Sequence, residues 1–281
     1  LLPIAEQMLQ GAEALLRASD RTRERSVLRL GVAETVAYRA EFLVWILTTT
    51  QPLIMLGLWT RVARDAPFAG MTAADMVAYY LACLIVRQLT GNWVAWQMSE
   101  DVRSGAMAMR LLRPIHPFVA YAASHAAAIP FRSVIALPVA GALLASSGAS
   151  ALTRDPAQLA WLLPSLAMAW LIAFAVLFMI GCAAFFLTQV MALANLYFGL
   201  FSLLSGYLMP IPFLPGPVAK IAAWLPFRFM VSAPVELLTR PLSRGELGAL
   251  LGGQAAWTVI TLTGALALWR AGVRRFEAVG G

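Results

Sequence analysis

The sequence has little charge, almost no lysine and only two cysteines. Of its 281 residues 12% are charged, against about 25% in a typical soluble domain. Cys83 and Cys182 both lie in apolar stretches, and they offer neither a disulfide framework nor the spacing of a metal site. The single lysine, Lys220, lies far from any glycine pattern of a phosphate-binding loop. The composition therefore excludes an ordinary soluble domain and a nucleotide-binding loop in this chain.

Long windows without any formal charge are what the sequence has instead. They cover 19 residues at Phe42–Thr60, 64 at Pro156–Ala219 and 23 at Leu247–Trp269. About 20 apolar residues are needed for a helix to cross the hydrocarbon core of a bilayer. The pattern predicts an all-α integral membrane protein with six transmembrane helices, near residues 41–60, 74–96, 118–146, 158–187, 190–209 and 249–269.

The domain organisation follows from these spans. Residues 1–39 alternate apolar and charged side chains at helical spacing and predict an amphipathic helix on the inner membrane surface, although a frayed leader fits the same pattern. Residues 40–275 form the six-helix transmembrane domain, with an inner loop at 97–117 and an outer segment at 207–248. Residues 276–281 are a short tail.

The net charge of +7 comes from 20 Arg and one Lys against 14 acidic residues. These basic residues flank the membrane spans, so we expect contact with anionic lipids and no nucleic-acid partner. With both termini inside the cell, twelve arginines lie in cytoplasmic segments and seven basic residues lie outside. This moderate bias favours cytoplasmic termini.

The inner loop between spans two and three predicts a short amphipathic helix. Ser99 is a plausible N-cap, and Glu100 and Asp101 suit the first turn. Basic residues suit the last turn, and Pro114 is a stop signal. An apolar stripe of Val102, Ala106, Met109 and Leu112 would lie on one face. Such a helix either docks in a groove on a soluble partner or lies on lipid headgroups, and the residues alone favour neither.

The outer segment at 207–248 is too rich in proline for a continuous span and too apolar for a solvated loop. Two short helices that dip into the outer leaflet and return would satisfy both properties. Irregular backbone at that depth is tolerated where it packs on protein or lines a wet path. A cap that closes the helix bundle is a compatible alternative.

Three patterns make the chain resemble the permeases of ABC-2 type exporters, from about residue 30 to the C-terminus. The first is the order of the spans. The second is the inner-loop pattern from Ser104-Gly105 to Leu111-Leu112-Arg113-Pro114. The third is the outer segment Leu225-Pro226-Phe227-Arg228, followed by Pro234-Val235-Glu236.

The resemblance implies a transmembrane subunit that exports a hydrophobic or amphipathic substrate, in the inner membrane of a bacterial cell. It implies a dimer with a second permease, identical or different, and a cytoplasmic ATP-binding subunit that holds ATP and Mg. This chain would carry no cofactor, metal or catalytic residue. The inner loop would be the coupling helix, with Glu100, Asp101, Val102, Arg103, Met109, Leu112 and Arg113 in contact with the ATPase. The outer gate or re-entrant segment would include Pro226, Phe227, Arg228 and Glu236.

Polar residues within the spans are candidates for the translocation path, because a charge in the membrane usually faces a partner or a wet cavity. Arg132 in span three is the first candidate, and a carbonyl freed by Pro130 or Pro138 is its alternative partner. Asn195 and Tyr197 in span five are weaker candidates, since amides also join helices. For Arg87 in span two, we expect the side chain to extend towards the inner surface.

An ion-gradient-driven secondary transporter is the alternative function. It predicts buried carboxylates near the membrane midplane and often repeated halves. Here every acid lies near a predicted membrane boundary or in a loop, and no repeat is visible. A lipid-modifying membrane enzyme would need a cluster of His, Asp or Glu at one membrane face, and none stands out.

Overall fold

The computed structural model describes residues 51–64, 67–145 and 151–276, with the backbone alone at 131, 132, 135 and 136. This part of the chain is helical, and its extended pairing is limited to a bridge between Phe68 and Met71. The predicted all-α fold is confirmed over this part. The predicted amphipathic approach at 1–39, the start of span one and most of the tail lie outside the described residues.

Thirteen α-helices follow one another in the described part, and they are numbered here in chain order. They are α1 (51–62), α2 (Ala73–Thr90), α3 (Val94–Arg103), α4 (Ala106–Leu111), α5 (Pro117–Ala127), α6 (Ile129–Leu143), α7 (Pro156–Ala160), α8 (Leu162–Cys182), α9 (Val190–Leu204), α10 (Gly216–Trp224), α11 (Pro226–Met230), α12 (Ser232–Thr239) and α13 (Arg244–Val273). Short 3-10 helices cover Ala183–Phe185 and Ile211–Phe213.

Two helical stretches in the described residues are long and apolar enough to cross a membrane. They are Pro156–Phe185, which includes α7 and α8, and α13 at Arg244–Val273. A shorter apolar helix, α9, has 15 residues and a length of about 22 Å at 1.5 Å per residue. The first two stretches agree with the predicted spans four and six.

The predicted second span is interrupted, which the sequence prediction missed. Its first part, α2, ends at Thr90. The next residue, Gly91, adopts an extended conformation, and the chain becomes helical again at Val94. Glycine and the neighbouring Thr90 and Asn92 have low helix propensity, so the break occurs where local preference is weakest. Ser99 is consequently a buried residue inside α3, and its prediction as an N-cap is wrong.

Spans three and five also differ from the prediction. Span three divides into α5 and α6 at Ala128, two residues before Pro130. Span five was predicted to reach Met209, but α9 ends at Leu204. Gly206 follows with φ of 84°, a left-handed conformation that terminates the helix and that other residues rarely adopt.

The core is built around α8, which packs against α2, α3, α9, α11, α12 and α13. Phe174 and Phe178 of α8 are fully buried, and Phe118 of α5 makes edge-on contacts with both rings. Trp269 near the end of α13 packs on Phe178 at 5.6 Å between ring centroids. Aromatic pairs of this kind add about 0.5–1.5 kcal/mol beyond their burial. Helix α8 therefore joins α3, which leads into the inner loop, to α11 and α12 of the outer segment.

The segment after α9 folds as one 3-10 turn and three short helices, α10 to α12, where the sequence predicted two. The additional break lies at Val231, whose backbone leaves the helical region between α11 and α12. Two tyrosines of α2 fasten the start of this segment: Tyr79 donates a hydrogen bond to the Gly206 carbonyl at 2.7 Å, and Tyr80 donates to the Leu208 carbonyl at 3.2 Å.

Candidate functional site

The loop between α3 and α5 begins with a sharp turn at Ser104 and Gly105. The Ser104 hydroxyl donates to the Glu100 carbonyl at 2.7 Å and closes the last turn of α3. Gly105 has φ of 77°, a left-handed conformation that suits glycine. This turn separates α3 from α4, so the single helix predicted for the loop is two helices.

Three side chains hold the base of this loop, and we call them the loop anchor: Asp101, Arg110 and Tyr121. Arg110 Nε lies 2.7 Å from Asp101 Oδ2, and the Tyr121 hydroxyl donates to the same oxygen. The Arg110 guanidinium also lies over the Tyr121 ring, 4.6 Å from its centroid. Because the three residues come from α3, α4 and α5, the anchor ties these helices together. Charge-assisted hydrogen bonds are about twice as strong as neutral ones.

The two sides of α4 have opposite environments. Met107 is fully buried, and Leu111 packs partly against the core. On the other side Met109 is 65% exposed and Leu112 is 78% exposed. We call the exposed residues Met109, Leu112 and Ile115 the loop face.

The predicted apolar stripe is therefore divided. Val102 lies on α3 and packs against the core, whereas Ala106, Met109 and Leu112 are exposed. Helix α4 carries Ala106 and Met109 and ends at Leu111, so Leu112, Arg113 and Pro114 follow it. Glu100, Arg103 and Arg113 are exposed around the loop. Of the residues predicted to contact an ATPase, Met109, Leu112 and Arg113 lie together at the tip, and Asp101 lies at the base.

The end of the loop is fastened by a histidine. His116 Nδ1 accepts a hydrogen bond from the Phe118 amide at 3.2 Å and caps α5, whose first residue is Pro117. Its ring lies 5.8 Å from the Trp269 ring at the end of α13. His125, one helix further, is buried and lies 3.0 Å from Gln97 Oε1. Both histidines thus occupy structural positions.

Two of the residues predicted for the translocation path lie on different sides of α9. Tyr197 is buried, and its hydroxyl lies 3.6 Å from the Met230 sulfur. Asn195 is exposed on the other side of α9. Arg132 lies within α6, and its side chain is outside the described residues.

The outer motif forms a compact unit around an ion pair. Pro226 begins α11, and the Phe227 ring lies 5.9 Å from Tyr197. Arg228 Nη2 contacts both carboxylate oxygens of Glu236, at 3.2 Å and 3.1 Å. This pair joins α11 to α12, and its side chains are 26% and 18% exposed. The four residues predicted from the motif are therefore close in space.

Two buried glutamines were missed by the sequence analysis. Gln158 donates to the Leu237 and Arg240 carbonyls and accepts from the Leu242 amide, so it holds the chain between α12 and α13. Gln254 donates to the carbonyls of Ser165 and Phe229, at 2.9 Å and 3.0 Å. Each is a single amide side chain in an apolar window. Such an amide needs hydrogen-bond partners on neighbouring segments, and this requirement could have identified both residues from the sequence.

Arg87 also lies in a setting that the sequence did not predict. Its guanidinium lies 5.1 Å from the centroid of the Phe201 ring and 6.0 Å from that of Tyr207. The side chain thus contacts the end of α9 and the chain that follows it.

Long apolar helices packed around α8, with an anchored loop at one end of α3, define the class of an all-helical membrane protein. Comparison with protein families narrows this class: the profile described as ABC-2 family transporter protein matches residues 46–280. The chain belongs to this family and is an ABC-2 type permease, a membrane subunit for transport. The family implies a transporter with an ATP-binding partner. A search of curated proteins finds no match.

Proposed function

We propose that the chain is the transmembrane subunit of an ATP-driven exporter, and that the loop face receives the ATP-binding subunit. The observation that carries the proposal is the contrast within the loop. Its base is held by the loop anchor, while Met109 and Leu112 at its tip are exposed. Exposed apolar side chains on a firmly held segment suit a protein interface, where a few such residues supply most of the binding energy.

The positions around the loop face support a protein partner over a lipid surface. Arg103 and Arg113 are exposed beside it, and Glu100 adds a charge of the opposite sign. A mixed rim of charges around apolar residues is typical of protein interfaces. ATP and Mg would bind in the partner, and hydrolysis there would displace the loop.

A displacement of the loop would reach the helix bundle by two routes. The first is α3, which packs directly on α8 and on the 3-10 helix Ala183–Phe185. The second is the loop anchor, which joins α4 to Tyr121 of α5. Both routes move whole helices, and such motion can shift a bundle between two states of different affinity for cargo.

The proposed topology has six spans with both termini in the cytoplasm. The first span would include α1. The other five spans would be supplied by α2–α3, α5–α6, α7–α8, α9 and α13. The segment with α10 to α12 would be the outer re-entrant part and would contain the gate around Arg228. Residues 1–39 would be an interfacial helix and 276–281 a cytoplasmic tail. A second permease, identical or different, would complete the dimer in a bacterial inner membrane, surrounded by lipid.

The proposed cargo is hydrophobic or amphipathic, and the path residues Arg132, Asn195 and Tyr197 stay candidates for contact with it. Nine Trp and fourteen Phe in the chain suit such a cargo.

Co-purification with the ATP-binding subunit tests the proposal. In a mild detergent, we expect the wild-type permease to carry this subunit at near-equal amount. Met109→Asp combined with Leu112→Asp should reduce the bound amount at least tenfold, because two acidic side chains would be placed in an apolar contact. The bound protein is quantified by mass spectrometry.

A matched control places the same two acidic residues at another exposed apolar pair, Ile221→Asp with Trp224→Asp on α10. These side chains are 60% and 81% exposed, and their replacement should leave the ATP-binding subunit bound. If the loop-face variant retained its partner, or if an intact wild-type oligomer carried none, the proposal would be wrong.

A further inference from the structure

A cation in the middle of a membrane helix needs compensation, and Arg87 is such a cation. It is half-buried in the last turn of α2, and the aromatic residues Phe201 and Tyr207 lie around its guanidinium. Among the described residues the ion pairs of arginines with acids involve Arg110, Arg228 and Arg240. None of the acids described lies within ion-pair distance of Arg87.

The aromatic contacts compensate the charge only in part. A cation over an aromatic ring gains less free energy than the removal of a charged group from water costs. The carbonyl end of α2 adds some stabilisation, because helix C-termini favour cations. All these partners are neutral, so the site keeps a net positive charge that suits an anion.

The surroundings of Arg87 are apolar and continue into an aromatic pair of which one member, Trp96, is exposed. Phe198 lies one helical turn before Phe201, and its ring is 5.5 Å from that of Trp96, which is 39% exposed. The backbone of α9 packs against α3, α8 and α11, and the Arg87 side chain reaches from α2 to Phe201. The site therefore combines one positive charge with an adjoining apolar surface. We call Arg87, Trp96, Phe198, Phe201 and Tyr207 the Arg87 cluster.

We propose that the Arg87 cluster binds the anionic headgroup of an amphiphile, with its alkyl chain along Trp96 and Phe198. Phosphate and carboxylate groups both fit a guanidinium, which can form two parallel hydrogen bonds with either. The source of the anion is a bilayer lipid or an exported cargo. The identification of the amphiphile as cargo rests on the proposed function. Its binding to the Arg87 cluster does not, because binding requires no ATP.

Direct binding to the purified permease tests the inference without the ATPase. The probe is radiolabelled decyl phosphate, added to permease in dodecyl maltoside, and bound probe is measured by scintillation proximity. We expect saturable binding to the wild type. Arg87→Gln should weaken it at least tenfold. Arg87→Lys keeps the charge but loses the paired hydrogen bonds and the ring contacts of the guanidinium, so it should bind more weakly than the wild type and more tightly than Arg87→Gln.

Arg270→Met is the matched control, since it removes one positive charge from an exposed position at the end of α13. It should leave binding unchanged. Arg87→Met should weaken binding at least tenfold, as Arg87→Gln does, so the test does not depend on the folding of one variant. Gel filtration selects folded samples.

Competition then separates the sources of the anion. Displacement by phosphatidylglycerol at equal concentration identifies a bilayer lipid, displacement by inorganic phosphate identifies a free anion, and resistance to both identifies a single-chain amphiphile. Displacement by phosphatidylglycerol and resistance to both competitors support the amphiphile site, whereas displacement by inorganic phosphate overturns the placement of an alkyl chain along Trp96 and Phe198. The inference is overturned if the wild type shows no saturable binding, or if folded Arg87→Gln binds as tightly as the Arg270→Met control. Either result would leave Arg87 as a clamp between α2 and α9.

Discussion

The loop between α3 and α5 and the outer segment from α10 to α12 are built from similar elements, but they differ in which apolar side chains are exposed. Each contains short helices and an arginine–carboxylate pair, Asp101–Arg110 in the first and Arg228–Glu236 in the second. In the outer segment the apolar residues of α12 are buried, with Val235 and Leu237 fully covered. In the loop, Met109 and Leu112 are exposed. An ion pair thus fixes both segments. The exposed apolar residues of the loop lie beside the helix that its ion pair holds, whereas those of the outer segment, Ile221 and Trp224, lie on α10, outside the pair that joins α11 to α12.

The largest expected difference between the two regions concerns a leucine in each. Leu237→Ala should lower the free energy of unfolding by about 3 kcal/mol, because it leaves a cavity in the core. Leu112→Ala should change it by less than about 0.5 kcal/mol, because the side chain is exposed. Denaturant or thermal unfolding in detergent measures both. Equal losses at the two positions would show that the loop tip is buried and would remove its role as an interface.

A smaller effect should distinguish the two ion pairs. Asp101→Asn and Glu236→Gln each weaken charge-assisted hydrogen bonds and should cost about 1–2 kcal/mol of stability. Only Asp101→Asn should also reduce the basal ATPase activity of the complex, measured without cargo and per folded molecule, since Asp101 belongs to the loop anchor on the proposed route from the ATPase, whereas Glu236 belongs to the proposed outer gate. The reconstituted complex, corrected for the folded fraction, provides the measurement. A purely structural loop anchor would give equal normalised activity in both variants.

The sequence predicted the elements whose signal is continuous. The charge-free windows gave the helical stretches Pro156–Phe185 and α13. The breaks inside spans two, three and five were missed because one or two residues determine each of them. Gly91, Ala128 next to Pro130, and Gly206 all lie within otherwise apolar runs. A window average does not detect such positions.

The candidate site was predictable in its location and less so in its geometry. Ser99 has the chemistry of an N-cap, but its position on the buried side of α3 decides its environment. The ion pair of Arg228 with Glu236 joins residues close in sequence, and the motif pointed to both. The partners of Arg87 are more than a hundred positions away, at Phe201 and Tyr207. Contacts of that separation depend on helix packing, which a single sequence does not reveal.

Site-specific photocrosslinking tests the central claim most directly. A benzophenone side chain at position 112 of the loop face, activated in whole cells, should crosslink the permease to its ATP-binding subunit. The same group at position 224, which is equally exposed on α10, should give no such product. A crosslink from 112 that depends on the intact loop anchor would support the loop as the contact with the ATPase. If 224 crosslinked to the ATP-binding subunit and 112 did not, the assignment of the two regions would be reversed.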